Sequence, residues 1–123
     1  MSSASQETLT LDEIVKEAKK LLAVADIYQL NQLKDCCQEV LIEVLDAKNS
    51  IGILILSDKH SALKLRKDAL KFVCENMISV SLSCDWKKEL ACYPSLQSEI
   101  IESLMNIMSK DDIKGWFEES FFL

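Results

Sequence analysis

The sequence predicts an all-α fold of stacked antiparallel helical hairpins, and three observations carry that prediction. The chain has two glycines and one proline in 123 residues, too few for the frequent turns a sheet protein needs. Apolar residues recur at intervals of three and four along most of its length, as amphipathic helices require. One stretch is also given twice. Leu22, Ala25, Asp26, Tyr28, Leu33 and Lys34 are matched 32 positions later by Leu54, Ser57, Asp58, His60, Leu65 and Arg66. Each copy reads as a helix, a tight turn and a second helix. One hairpin cannot cover its apolar face alone, but stacked hairpins share a core.

Residues 1–9 are expected to form a disordered leader. Thr10 with Glu13 three positions later is a capping box, in which each side chain satisfies a free backbone N–H of the other. The helix that follows carries Leu11, Ile14, Val15, Ala18, Leu21, Leu22 and Ala25 on its apolar side. A second helix carries Leu30, Leu33, Cys37, Val40, Leu41 and Val44. Asp46 is expected to cap the third element, whose run from Ile53 to Leu56 is short and apolar enough for a buried strand. The repeat decides for helix, because residues 53–60 must end as residues 21–28 do. Gly52 within it weakens a helix by about 1 kcal/mol and is read as permitting close packing.

Ser61 is expected to cap the fourth helix, with Leu65, Ala69, Phe72, Val73 and Met77 inward. The stretch ISVSLSCDW reads as a short turn of helix, and Asp85 as the cap of WKKELACY. Pro94 suits the first turn of the next helix, whose face is Leu96, Ile100, Ile101, Leu104 and Ile107 or Met108. Ser109 with Asp112 opens a last amphipathic piece, DDIKGWFEESFFL. Its Trp116, Phe117, Phe121 and Phe122 are expected to fold back over a core; the other reading is an anchor for a partner, since aromatic side chains often dominate interface energy.

Composition narrows the function. The net charge is −6, and the nearest approach to a basic stripe, Lys64, Arg66, Lys67 and Lys71, lies among acidic residues and reads as a solvated helix face. Nucleic acid is not expected as a partner, because phosphate neutralisation dominates that affinity. No apolar run reaches the roughly 18 residues of a membrane span, so no membrane partner is expected either. Cys36, Cys37, Cys74, Cys84 and Cys92 contain no C-x-x-C pair, and they are expected to be buried thiols acting as small hydrophobes. The polar N-terminus has no signal-peptide core, so a nuclear or cytoplasmic location is expected.

Nothing in the sequence builds a catalytic set. His60 is the one histidine, and it stands in the tyrosine slot of the repeat, where packing of the turn is the expected role. Asp26 and Asp58 are repeat partners, expected to hydrogen-bond at helix ends rather than to form a carboxylate pair. No glycine-rich phosphate loop is present. No enzyme activity, cofactor or metal site is expected.

The segments LLAVADIYQLNQLKDCCQEVL, ILILSDKHSALKLRKDALKFV and DWKKELACYPSLQSEIIESL, read without gaps from Leu21 to Leu104, closely resemble speckle-type POZ proteins of the BTB/POZ family. The most specific pieces are LLAVADIYQL, ILILSDKHSA and the spacing from Trp86 and Lys87 to Pro94. The resemblance implies a division of the chain: residues 10–45 as the C-terminal helix pair of a BTB domain, 46–108 as a 3-box with BACK-like helices, and 109–123 as an amphipathic aromatic tail. It implies a non-catalytic interaction module of the kind that adapts substrates to cullin-3 ubiquitin ligases. The partner would be the cullin-3 N-terminal domain. Ile27, Tyr28 and Asn31 would belong to the hairpin end facing the cullin, and Lys59 and His60 to the 3-box that extends the surface.

Departures from the pattern set further expectations. The rest of a BTB domain, its MATH domain and the main cullin-contact loop have no counterpart in the sequence, so the family's BTB dimer is expected to be absent. Glu75 stands where relatives place an aromatic for a second self-association. The alternative reading is therefore a structural or self-associating helical module, a homo-oligomer that has lost cullin binding and acts as a competitor or decoy of full-length adaptors.

Overall fold

The computed structural model describes residues 10–107. Within them the chain is helical, with no strand, in seven helices: α1 Leu11–Ile27, α2 Asn31–Glu43, α3 Ser50–Lys59, α4 Leu63–Glu75, α5 Met77–Ser83, α6 Trp86–Glu89 and α7 Pro94–Ile107. The expected leader at 1–9 and aromatic tail at 109–123 lie outside the described residues, as does Met108.

Hairpin α1–α2 and hairpin α3–α4 are copies of one another at an offset of 32, and the reason is visible in the turn. At the end of α1, Gln29 N–H donates to Asp26 O at 3.3 Å and Leu30 N–H to Ala25 O at 2.8 Å. At the end of α3, Ser61 N–H donates to Asp58 O at 3.4 Å and Ala62 N–H to Ser57 O at 2.9 Å. This pair of bonds is the Schellman stop, which needs its residue after the cap in the left-handed region. Gln29 and Ser61 take φ of 56° and 52°, although neither is glycine. The expected cap at Ser61 is thus corrected. Ser61 ends α3, and the N-cap of α4 is Ala62, which offers no side-chain bond.

The missing cap comes from the other hairpin. Gln38 of α2 is buried, and its Oε1 accepts from Leu65 N–H in the first turn of α4 at 3.0 Å. Asp46 is also corrected: its Oδ1 accepts from Lys48 and Asn49 N–H, shaping the turn before α3 while Asn49 holds the N-cap position. The capping box at Thr10 forms as expected, and Asp85 caps α6 as expected by accepting from Lys88 N–H. Met77 begins α5 rather than continuing α4, yet it is buried as expected.

The core runs through both hairpins and on to α7. Leu22, Leu41, Ile51, Ile53, Leu54, Leu65, Val73, Leu90, Leu96, Ile100 and Leu104 are among its fully buried members. The α4 helix is the hub, packed against α2, α3, α5 and α7. Arg66 ties α4 to α7: its Nη2 donates to both carboxylate oxygens of Glu99 at 2.6 and 2.7 Å, while Nε donates to Asp58 at 3.0 Å. Glu99 foremost, then Asp58, raises the guanidinium's pKa above its ordinary value.

Other expectations need correction in side-chain detail. Leu11, Leu21, Leu30 and Val40, expected on apolar faces, are exposed. Cys37 and Cys74 are buried, Cys84 is half-buried, but Cys36 and Cys92 are exposed. Gly52 is not in a tight contact with backbone; a Cβ there would meet only the end of Lys19, Nζ at 3.4 Å.

Candidate functional site

The two Schellman turns stand side by side, and a charged cluster joins them. Asp26, in the last turn of α1, receives Lys34 Nζ from α2 at 3.0 Å on Oδ1. On Oδ2 it faces His60 Nδ1, from the end of α3, also at 3.0 Å. A carboxylate only accepts, so the imidazole carries a proton on Nδ1 and donates it. The side chains of Lys34 and His60 are 19% and 18% exposed, and that of Asp26 is 31% exposed. Donation from Lys34 first, then from His60, holds the Asp26 carboxyl below its ordinary pKa. Asp26–Lys34 and Asp58–Arg66 are the same bond in the two copies, and His60 is the rivet between them.

The expected site residues divide around this cluster. Ile27 and Tyr28 project from the turn, 68% and 70% exposed. Asn31 opens α2 beside them and is exposed, as is Lys59 near the end of α3. His60 is turned inward to Asp26. The structure thus brings all five residues to one end of the stack, four of them presented outward and one anchoring the turns beneath.

Sequence reasoning missed the Asp26–His60 contact and the exposure of Leu30, 46%. The recurring acid and base eight residues apart, Asp26 with Lys34 and Asp58 with Arg66, mark the aspartate as a turn anchor but carry no sign of His60. The exposure of Leu30 left no trace either, because the apolar spacing continues unbroken across the turn.

A large exposed aromatic beside aliphatic groups, on a turn held by partly buried polar bonds, is the composition of interface anchors. Among the described residues no group of three metal-binding side chains gathers, and no helix is long and apolar enough to cross a membrane. The buried thiols are poor nucleophiles. Burial raises the pKa of Cys37 and Cys74 and pushes Cys84 up to about 11, which keeps them protonated at neutral pH.

Comparison of the sequence with known proteins finds relatives. No protein-family model matches the chain. It is 33% identical over 92 residues to protein maternal effect lethal 26 of Caenorhabditis elegans, a match covering 75% of the chain and 23% of that protein. It is 38% identical over 84 residues to TD and POZ domain-containing protein 1 of Mus musculus, covering 68% and 23%. With BTB/POZ and MATH domain-containing protein 4 of Arabidopsis thaliana it shares 37% over 87 residues, covering 71% and 19%. The chain therefore spans at most about a quarter of the curated relatives it matches. Over that part, the similarities support a BTB/POZ family.

Proposed function

We propose that the chain is a non-catalytic protein-interaction module whose α1–α2 turn docks the N-terminal domain of cullin-3, as part of a BTB-type ubiquitin-ligase adaptor. The supporting observation is the exposed Ile27–Tyr28 pair, seated on a turn fixed by the Asp26–Lys34–His60 cluster. A docking residue should be solvent-exposed in the free protein and held by structure it does not itself provide, and Tyr28 meets both conditions. Asn31 and Lys59 flank it as polar rim, where hydrogen bonds set orientation more than affinity. Relatives carrying BTB/POZ in their names support the family side of the reading. A nuclear or cytoplasmic location is proposed with it.

Tyr28→Ala separates binding from folding. The side chain is mostly in water, so truncation should leave the melting temperature within a degree or two of the wild type. Loss of an aromatic hot spot is worth about 2 kcal/mol or more, so capture of cullin-3 by the folded variant should weaken at least about tenfold. Undiminished capture would remove Tyr28 from the interface.

A further inference from the structure

Helix α5 has two apolar sides, and only one of them is covered. Met77 and Val80 are buried in the core, while Ile78 and Leu82 are 64% and 82% exposed. The latter two stand four residues apart, so they are neighbours on one face of the helix. No charged residue occurs between Glu75 and Asp85, and the outer side of α5 is therefore built of aliphatic groups and serines. A surface helix ordinarily turns polar and charged side chains to water. One exposed leucine such as Leu63, beside Lys64, needs no explanation, but two in register with no charge among them mark a contact surface.

The end of α7 comes to the same part of the molecule. Cys74, in the last turn of α4, donates its thiol to Ile100 O at 3.9 Å, and Ser103 also bonds that thiol. These contacts set the C-terminal half of α7 beside the junction of α4 with α5. Leu104 there is fully buried, and Met105 next to it is 58% exposed. A third large apolar group is thus turned to water near that junction.

The residues that follow α7 supply what α5 lacks. Residues 109–123, outside the described residues, carry Ile113, Trp116, Phe117 and Phe121 at spacings of three, one and four, which is one face of a helical stripe. Asp112, Glu118 and Glu119 fall on the other face. Laid on α5, the aromatic side covers Ile78 and Leu82, and the acidic side becomes the charged outer layer that α5 does not have. Reach is sufficient. Trp116 follows Ile107 by nine residues, on the order of 30 Å when extended, whereas the seven residues of α5 span about 10 Å. Tethering gives such a segment an effective concentration of about 1 mM or more, which a free partner rarely matches. We infer that the segment 109–123 docks on the Ile78–Leu82 face of α5 through Ile113, Trp116 and Phe117, with Met105 at the edge where the segment leaves α7. The inference does not rest on the cullin reading, which uses the α1–α2 turn.

Acrylamide quenching of tryptophan emission in the full chain tests it. The chain has two tryptophans, and Trp86 is 2% exposed, so readily quenched emission comes from Trp116. Little quenching is expected for the wild type at every protein concentration. Ile78→Glu and Leu82→Glu, both at exposed positions, should each release Trp116 to the quencher, while Leu63→Glu should not. The same two substitutions in a Trp116→Phe chain should leave Trp86 shielded, which separates undocking from unfolding. Ready quenching of Trp116 in the wild type would overturn the inference, as would shielding that survives both substitutions in α5. Shielding lost on dilution would overturn it too, because that result assigns the cover to a second copy of the chain.

Discussion

His60 Nδ1 lies 3.0 Å from Asp26 Oδ2, across 34 residues of sequence. The histidine ends α3 and the aspartate ends α1, so this bond ties the second hairpin to the first, alongside the Gln38–Leu65 bond between α2 and α4. Coupling across it should be measurable in a double-mutant cycle. Asp26→Asn and His60→Ala should each lower the denaturation midpoint, and the double variant should lose less than the sum. Strict additivity would mean the contact does not join the hairpins energetically.

The same aspartate gives a pH dependence. Its carboxyl titrates below its ordinary value when folded, through Lys34 first and His60 second. The stabilisation is complete above the unfolded carboxylate pKa and is lost as pH falls through the folded, lower one. Acid titration of the wild type should therefore lose stability at the acid edge of the carboxylate range, and Asp26→Asn should flatten that limb. An unchanged profile in the variant would assign the acid sensitivity elsewhere.

Gln38 caps α4 from outside its own hairpin, and both partners of its bond to Leu65 are buried. Gln38→Leu removes the acceptor and strands a buried N–H, which costs about 1–3 kcal/mol. Urea denaturation should show a lower midpoint at constant slope. A loss of only a few tenths would mean the α4 terminus finds another acceptor.

The two copies make a matched pair of truncations. Leu65 is fully buried and its repeat partner Leu33 is half-buried. Leu65→Ala should cost about 2–5 kcal/mol, and Leu33→Ala no more than about half of that. Equal losses would contradict the half-burial of Leu33.

Glycine is absent where the backbone favours it and present where it does not. Ser61 holds φ at 52°, a conformation that costs an L-residue about 1–2 kcal/mol, so Ser61→Gly should raise stability. Gly52 sits inside α3 with only the tip of Lys19 near its Cβ direction. Gly52→Ala should gain about 0.5–1 kcal/mol. Thermal melts of both variants should move upward; a drop for Gly52→Ala would show that Lys19 cannot yield.

Much of this architecture was legible in the residues. The Thr10–Glu13 box starts α1, Pro94 starts α7, and the 32-residue repeat settles α3 as helix despite its β-branched run. What escaped was whatever depends on a second element. A serine before a helix reads as a cap unless its own φ is known, and Ser61 has the left-handed value. Gln38 carries no local sign that it serves a helix 27 residues away. Periodicity also counts Leu21 as inward, because a stripe wider than one contact looks the same whether one neighbour covers it or two. At the candidate site, Tyr28 and His60 share a slot in the repeat yet meet different surroundings, one solvent and the other Asp26. That division arises because the first hairpin has the second beneath it, an asymmetry of stacking rather than of sequence.

The most direct test of the proposed function is calorimetric titration of the purified chain with the cullin-3 N-terminal domain, on a sample whose helicity has been checked. The account predicts saturable binding with a Kd of about 1 µM or below, near −8 kcal/mol. A folded, helical chain that releases no binding heat and shows no complex by sedimentation would contradict it.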